Sequence, residues 1–272
     1  MDRQSRIRGG KLGQSLFISA LVLLAVHPAH AGRPCEDTPA RVADVERGMA
    51  LAMATAARLD ASGAQVVVLA RAGQDLSRYG LAWSHFGFAY REGDGPKSYW
   101  RVVHKLNHCG SDRAALYRQG LAEFFLDRPY RYEAVYVELS PEAQNALLPL
   151  LRDNARIDDL HEPRYSMVAY VWATRYQQSN QWALETLAAA MEPGANSRQR
   201  AQAWLQFKGY EPTTLRIDPL TRLGGRMTRA NIAFDDHPNA KRFSDRIETV
   251  TVDSVLAWLP RAGLGEAPVR IR

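Results

Sequence analysis

Hydrophobic and polar positions along the chain follow two periods, which predict a mixture of strands and helices. Strands are indicated by a β-branched run at 65–69 (QVVVL), by alternation at 81–91 and by an apolar segment at 99–106. Turn residues at 92–96 (EGDGP) join the last two, which predicts an antiparallel hairpin. A further strand is predicted at 134–139 (AVYVEL).

Helical periodicity, together with start and stop signals, predicts the remaining elements. Strands and helices interleave without a regular β-α-β repeat, so the predicted fold class is α+β, with a small antiparallel sheet packed with helices. The helices are predicted at 38–59, 114–126, 141–151, 180–191 and 197–207.

The first 31 residues have the three parts of a secretory signal peptide. A basic region at 3–11 precedes an apolar core at 16–26 (LFISALVLLAV), and Ala29-His30-Ala31 gives the small-x-small cleavage pattern. The apolar core is too short to span a bilayer, which takes roughly 20 residues. We therefore expect cleavage after Ala31 and a periplasmic or secreted product, with no transmembrane segment after signal cleavage.

Residues 32–272 are expected to form a single α+β domain, with an irregular C-terminal extension from about residue 210. The chain is 46% hydrophobic and 24% charged, which is typical of globular proteins and excludes collagenous, low-complexity and disordered classes. Because residues 1–31 carry four basic residues and one acidic residue, cleavage lowers the net charge from +6 to +3. This excess is too small to indicate a nucleic-acid partner.

The two cysteines, Cys35 and Cys109, both belong to the expected mature chain. In an oxidising compartment such a pair predicts a disulfide, which would stabilise a loop of this size by about 4 kcal/mol. The alternative is that Cys109 is a free thiol nucleophile beside His85 or His108.

Several phrases of the mature chain resemble an uncharacterised bacterial family, the domain of unknown function 2145. The resemblance covers nearly all of the mature chain, and the family name carries no activity. The phrases are SHFGFAYR at 84–91, VVHKLNHCG at 102–110, LYRQGLAEFFLD at 116–127, YQQSNQWALE at 176–185 and DDHP at 235–238.

A more distant resemblance connects the chain with circularly permuted papain-like hydrolases of the NlpC type. Those enzymes have a histidine in a strand written Ser-His-hydrophobic-Gly, a polar residue on the next strand, and a nucleophilic cysteine later, at the start of a helix. Residues 84–87 (SHFG) match the first element, and His104 falls at the second. Residues 178–182 (QSNQW) fall where the relatives have Asn-Cys-x-Glu-aromatic, so Ser179 occupies the cysteine position.

This resemblance implies a papain-like acyl-transfer site, with Ser179 as nucleophile, His85 as general base and His104 as the residue that orients it. Facing residues on adjacent strands approach within about 5 Å, so the two histidines can meet. Free N–H groups at a helix N-terminus favour negative charge beside Ser179. The plainer interpretations are that Ser179 caps a helix and that His85 is a hydrogen-bonded core residue.

Four neighbouring residues are candidates for lining the pocket: Trp83, Ser84, Asn180 and Gln181. We predict no cofactor and no metal, although the spacing of His104, His108 and Cys109 invites a metal interpretation. The Asp-Asp-His-Pro tetrad at 235–238 is a turn by its chemistry, with cation binding as the alternative.

Two functions are compatible with these residues. The first is a hydrolase or acyltransferase that acts on amides or esters of the cell envelope and uses serine in place of cysteine. The second is a catalytically inactive envelope factor that binds a peptide, lipid or protein in the same cleft. A serine hydroxyl is far less acidic than a thiol, so the exchange of cysteine for Ser179 leaves both possibilities open.

Overall fold

A computed structural model describes residues 39–93 and 95–272. The predicted signal peptide and Cys35 lie outside the described residues, so cleavage and export stay predictions. In the part of the chain that is described, no helix has both the length and the apolar character needed to cross a membrane.

The strands build a central antiparallel sheet and a separate two-stranded sheet. In chain order they are β1 (Val66–Arg71), β2 (His85–Glu92), β3 (Tyr99–Asn107), β4 (Ala114–Gly120), β5 (Ala134–Glu138), β6 (Thr213–Arg216), β7 (Arg246–Thr249) and β8 (Val269–Ile271). The central sheet has the order β4-β3-β2-β1-β5-β8, and β6 pairs with β7. The predicted hairpin is β2–β3.

Helices cover both faces of the central sheet. They are α1 (Val42–Ser62), α2 (Leu121–Phe125), α3 (Pro141–Arg152), α4 (Asn154–Asp158), α5 (Ser179–Met191), α6 (Arg198–Phe207), α7 (Pro219–Thr228), α8 (Asn239–Arg242) and α9 (Val252–Arg261). The α+β class predicted from the sequence is therefore confirmed.

Strand alternation divides the hydrophobic interior into two cores. Val66 and Val68 of β1 face a larger core, which they share with α3, α5, α6 and α9. Val67 and Leu69 face a smaller core, which they share with α1 and α2. Two layers of helices therefore enclose the sheet, and each polar residue on a central strand points toward one of them.

Local signals account for the helix boundaries on the α5 face. The side chain of Ser140 accepts from the N–H of Ala143 at the start of α3, and Ser197 accepts from Arg200 at the start of α6. All residues of α5 from 179 to 188 are buried, because this helix packs against the sheet, α3 and α6. Five of these ten residues are nevertheless polar: Ser179, Asn180, Gln181, Glu185 and Thr186.

The prediction of one helix over residues 114–126 is wrong in its first half. Residues 114–120 form β4, and only the five residues of α2 are helical. Pairing with β3 from Asn107–Ala114 to Arg101–Gly120 decides the outcome, because ladder hydrogen bonds and cross-strand packing override a weak local helical preference.

The stretch from about residue 210, expected to be irregular, contains short regular elements. Leu215, Ile217, Phe234 and Ile247 form a small apolar cluster with Val168, which holds the β6–β7 sheet against the preceding turns. The helix α9 packs in the larger core, and β8 pairs with β5 of the central sheet. These last two elements are part of the main layered structure.

Candidate functional site

The candidate site lies where β2 and β3 separate. The two strands pair from Glu92–Tyr99 as far as Phe88–Val103. Beyond that point β2 continues beside β1 only, and β3 continues beside β4 only. The β2–β3 ladder therefore ends in the middle of the sheet, and His85 and His104 lie just beyond its last pair.

The two histidines and Gln119 form a chain of hydrogen bonds. Nε2 of His85 lies 2.8 Å from Nδ1 of His104, and Nε2 of His104 lies 2.8 Å from Oε1 of Gln119. With its amide oxygen placed against the ring, Gln119 accepts, so His104 donates through Nε2 and accepts through Nδ1. His85 in turn donates through Nε2. Its Nδ1 keeps a lone pair and makes no hydrogen bond within the described chain.

Burial keeps both rings uncharged near neutral pH. Desolvation, the neighbouring His104 ring and the positive charge of Arg71 hold the pKa of His85 well below its usual value. Desolvation, followed by Arg71, lowers the pKa of His104 to about 3. Nδ1 of His85 is therefore a neutral proton acceptor, while a positive charge on either ring is disfavoured.

Aromatic and charged side chains fix the rings from the α2 side of the sheet. Phe124 has its ring centroid 6.0 Å from that of His85 and 5.3 Å from that of His104. The Arg71 guanidinium lies 4.7 Å from the Phe124 centroid, donates to the Phe124 carbonyl and pairs with Asp127 at 2.6 Å. Both histidine rings are thereby held in one orientation.

Three of these supporting residues escaped the sequence analysis for identifiable reasons. Gln119 was placed on a helix, whereas β4 brings it beside β3. Phe124 falls within the same predicted helix, where nothing in the local sequence marks it as a contact of the histidines. Arg71 ends the apolar run of β1, directly opposite His85, and a polar residue at that position is the one local signal available.

The start of α5 reaches the end of the β2–β3 ladder from the other face of the sheet. Oδ1 of Asn180 accepts from the backbone N–H of Phe86 at 3.2 Å, and Nδ2 of Asn180 donates to the carbonyl of Ser84 at 3.4 Å. These two groups flank His85 on β2, at the level where β3 no longer pairs with it. Asn180 therefore anchors the N-terminus of α5 beside His85. Its side chain takes the place of hydrogen bonds that a continued β2–β3 ladder would make.

Ser179 is the first residue of α5, but its side chain has a different contact from the predicted one. It is 6% exposed and lies beside the Tyr165 phenol, whose pKa is raised by burial. In the described residues no hydrogen bond joins Ser179 to His85 or His104. The histidine rings face α2, whereas α5 packs on the opposite face. Catalysis by Ser179 stays a prediction, and Tyr165 is a contact that sequence reasoning missed.

The other predicted lining residues have structural contacts of their own. Trp83 is buried in the larger core. The Ser84 hydroxyl accepts from the backbone N–H groups of residues 73 and 74, at 2.8 and 3.1 Å. Gln181 donates its amide N–H to backbone carbonyls within residues 170–173, and its Oε1 is buried without a hydrogen-bond partner in the described chain.

Cys109, the alternative nucleophile, lies just after the end of β3. Cys109 and His108 lie in the turn between β3 and β4, where both are exposed. Among the described residues no cysteine is a free thiol, so the free-thiol alternative for Cys109 is wrong. Cys35 is outside the described residues, so its pairing with Cys109 stays a prediction. Across residues 39–93 and 95–272, no three side chains of His, Cys, Asp or Glu converge as metal ligands would.

The Asp-Asp-His-Pro segment connects the C-terminal stretch to residues before α5. Asp235 pairs with Arg175 at 2.9 Å, and Asp236 accepts from the backbone N–H of Tyr170 at 2.8 Å. The other oxygen of Asp236 lies 3.0 Å from Nδ1 of His237. These carboxylates bind groups of the fold itself, which favours the turn interpretation over cation binding.

The structure explains why the Ser-His-hydrophobic-Gly motif has a glycine, Gly87, two residues after its histidine. A Cβ at this position would lie 2.6 Å from the carbonyl oxygen of Val103 and 2.8 Å from Cβ of His104. Real Cβ atoms do not approach backbone so closely. The absence of a side chain at Gly87 is therefore what lets His104 come beside His85.

We expect Gly87→Ala to lower the free energy of unfolding by about 1–3 kcal/mol, because the added methyl group must push β3 away. Urea unfolding measures the change. Gly224→Ala is the control, since a Cβ there meets nothing within 4 Å. Alanine inside α7 is expected to stabilise by about 0.5–1 kcal/mol. Equal stability of Gly87→Ala and the wild type would contradict the close approach.

A family model described as "Uncharacterized protein conserved in bacteria (DUF2145)" matches residues 58–259, well over half of the chain. The match includes the histidine pair, Gln119 and the start of α5. No match was found among curated proteins or among solved structures.

Proposed function

The chain belongs to this uncharacterised bacterial family, the domain of unknown function 2145, and because membership assigns no activity, we propose a function from the site itself. The protein is proposed to be an exported acyl-transfer enzyme of the cell envelope, a hydrolase or acyltransferase acting on amides or esters. His85 is the general base, His104 orients it, and Ser179 is the nucleophile. The distant likeness to permuted NlpC-type hydrolases is part of this proposal.

The observation that carries the proposal is the hydrogen-bond chain from Gln119 through His104 to His85. It fixes one tautomer of His85 and leaves Nδ1 as an unprotonated acceptor without a partner in the described chain. A histidine buried only for packing usually satisfies both ring nitrogens. Here one is satisfied and the other is available, which is the arrangement that a general base requires.

The chemistry would use the start of α5 as follows. The step requires the start of α5 to move, so that the Ser179 hydroxyl leaves Tyr165 and reaches Nδ1 of His85 from the opposite face of the sheet. The hydroxyl then attacks the substrate carbonyl carbon and gives its proton to Nδ1 of His85. Backbone N–H groups of the first turn of α5 stabilise the oxyanion. The tetrahedral intermediate then expels the leaving group, which takes the proton from His85. Water or another acceptor, activated by His85, attacks the acyl-serine and restores the free hydroxyl.

Labelling with a fluorophosphonate probe tests the proposal without a known substrate. We expect the mature protein to carry one adduct at Ser179, located by peptide mass spectrometry, and we expect Ser179→Ala and His85→Ala to abolish it. Because the pKa of His85 is lowered, its base form persists in acid, so labelling should continue well below pH 6.5. Ser77→Ala, at an exposed serine, is the control and should label like the wild type.

The burial of Ser179 and its contact with Tyr165 favour a second candidate, the inactive envelope-binding factor. Ser179→Cys separates the two functions. An unlabelled wild type, together with a variant whose new thiol is alkylated rapidly below pH 7, would contradict the enzyme and favour a retained but inactive cleft. A helix N-terminus and a neighbouring base lower a thiol pKa in this way.

A further inference from the structure

The helix α7 carries a stripe of apolar side chains that the described chain leaves in solvent. Leu220 is 79% exposed, Leu223 is 56% exposed and Met227 is 77% exposed. Their spacing of three and four residues places them on one face of the helix. None of the residues of α7 is buried. Exposed large apolar residues that are grouped in this way indicate an interaction surface.

Phe243 is a further exposed aromatic residue close to the start of α7 in the fold. It is 72% exposed and follows α8 directly. Two residues later, Asp245 accepts from the Arg222 guanidinium of α7 at 2.6 Å, and its carbonyl accepts from the N–H of Ile217. The end of α8 is therefore bound to the start of α7. We call the set formed by Leu220, Leu223, Met227 and Phe243 the α7 patch.

Basic residues outnumber acidic ones around the α7 patch, where Asp218 begins the helix. Residues 219–234 contain three arginines, at positions 222, 226 and 229, and no Asp or Glu. Arg242 lies with its guanidinium 4.8 Å from the centroid of the Phe243 ring. Asp245 is an acidic group at this edge, and it is paired with Arg222. An apolar stripe with arginines beside it is typical of helices that lie in a membrane interface.

The low intrinsic stability of α7 also indicates that another surface covers this helix. Gly224 and Gly225 occupy its interior, and each weakens a helix by roughly 1 kcal/mol relative to alanine. At its start, Asp218 accepts from the backbone N–H of Thr221 at 2.9 Å, which is a local cap. Burial of the apolar stripe, which stabilises most helices in proteins, is absent within the described chain.

We propose that the α7 patch docks on an anionic lipid surface, with Leu220, Leu223 and Met227 inserted among the acyl chains and the exposed Arg226 beside the lipid phosphates. The charge argues against a second copy of the chain as the occupant. A two-fold symmetric contact would bring the arginines of both copies toward one another. This proposal does not depend on the acyl-transfer site, because no residue of that site belongs to the patch.

Vesicle flotation with the full mature protein tests the proposal. We expect the protein to float with vesicles of phosphatidylglycerol and phosphatidylcholine, and to bind at least about tenfold more weakly to phosphatidylcholine alone. Binding to the anionic vesicles should weaken as salt rises. The double variant Leu223→Glu and Met227→Glu should reduce binding at least about tenfold. Both side chains are exposed, so folding should be unaffected, and circular dichroism checks this.

A matched control removes an exposed aromatic residue elsewhere. Phe207, at the end of α6, is 83% exposed, and Phe207→Glu should leave vesicle binding unchanged. Equal losses in this control and the double variant would overturn the proposal, as would an absence of binding to anionic vesicles. Dimers in sedimentation that the double variant dissolves, without vesicle binding, would identify a second copy as the occupant. Fluorophosphonate labelling of the double variant keeps the two proposals distinguishable, since labelling should persist.

Discussion

Replacing Glu185 with alanine is expected to lower the free energy of unfolding by about 3–5 kcal/mol, because the change leaves a buried arginine without its counter-charge. Glu185 of α5 is 1% exposed and bonds to the Arg198 guanidinium at 2.7 and 3.1 Å. Its carboxylate also accepts from the side-chain amides of Gln177, at 2.6 Å, and Gln202, at 2.7 Å. One carboxylate therefore accepts four hydrogen bonds from three buried side chains.

Urea unfolding of Glu185→Ala measures this effect. Arg164→Ala is the control, because Arg164 forms an ion pair with Glu162 at 2.9 Å but is half exposed. Ion pairs of that kind contribute about 0–1 kcal/mol. Similar small losses in both variants would show that the Glu185 network does not stabilise the fold. Gln177 lies two residues before Ser179, so the Glu185 variant should also label more slowly with the fluorophosphonate probe.

Replacing Lys105 with methionine is expected to remove a rise in stability that the wild type shows between pH 7 and 9.5. Lys105 of β3 is fully buried and donates from Nζ to the carbonyl of Glu162 at 2.7 Å and to Oε1 of Gln177 at 2.8 Å. Desolvation first, and then the positive charge of Arg198, lower its pKa from 10.5 to about 7.

The sign follows from proton binding in the two states. Above pH 7 the folded chain loses the Lys105 proton, whereas the unfolded chain keeps it up to about pH 10.5. The unfolded state then binds more protons, so stability increases with pH. Across the window the gain is on the order of 3 kcal/mol. Below pH 7 both states are protonated, and the folded state bears the full cost of a buried charge.

Urea unfolding of the wild type and Lys105→Met at several pH values within the window measures the difference in slope. The methionine variant leaves two acceptors without the Nζ donor, but that loss does not depend on pH. Lys208→Met, at an exposed lysine, should retain the wild-type slope. A wild-type stability that is flat or falling across the window would contradict the buried, neutral lysine, as would a rise that survives in Lys105→Met.

Local patterns predicted the elements whose residues face one apolar environment. The hairpin of β2 and β3 and the helices α3, α5 and α6 follow from alternation, caps and turn residues in the sequence. The strand β4 was missed because its pairing with β3 is a tertiary interaction, which a window of neighbouring residues does not contain. Because of this error Gln119 was assigned to a helix, and the third member of the hydrogen-bond chain was not predicted.

The residues of the candidate site were likewise predicted only in part. His85 and His104 were identified through the resemblance to permuted papain-like hydrolases, and adjacent predicted strands allowed them to meet. The structure places Nε2 of His85 2.8 Å from Nδ1 of His104. Tyr165, the neighbour of Ser179, lies in an apolar stretch of turns. No periodic pattern there indicates which way a side chain points. Lys105, next to His104, was passed over because a lysine is expected at the surface, and its partners come from distant segments.

The alternation of His104 and Lys105 along β3 has a consequence for how the chain finds its fold. A slip of one residue in the pairing of β3 would turn His104 toward α5 and Lys105 toward Phe124. The hydrogen bonds of both residues would be lost together, and a basic side chain would face the smaller core without an acceptor. Two adjacent polar residues, each satisfied on its own face of the sheet, thus select one strand register and disfavour its nearest competitors during folding.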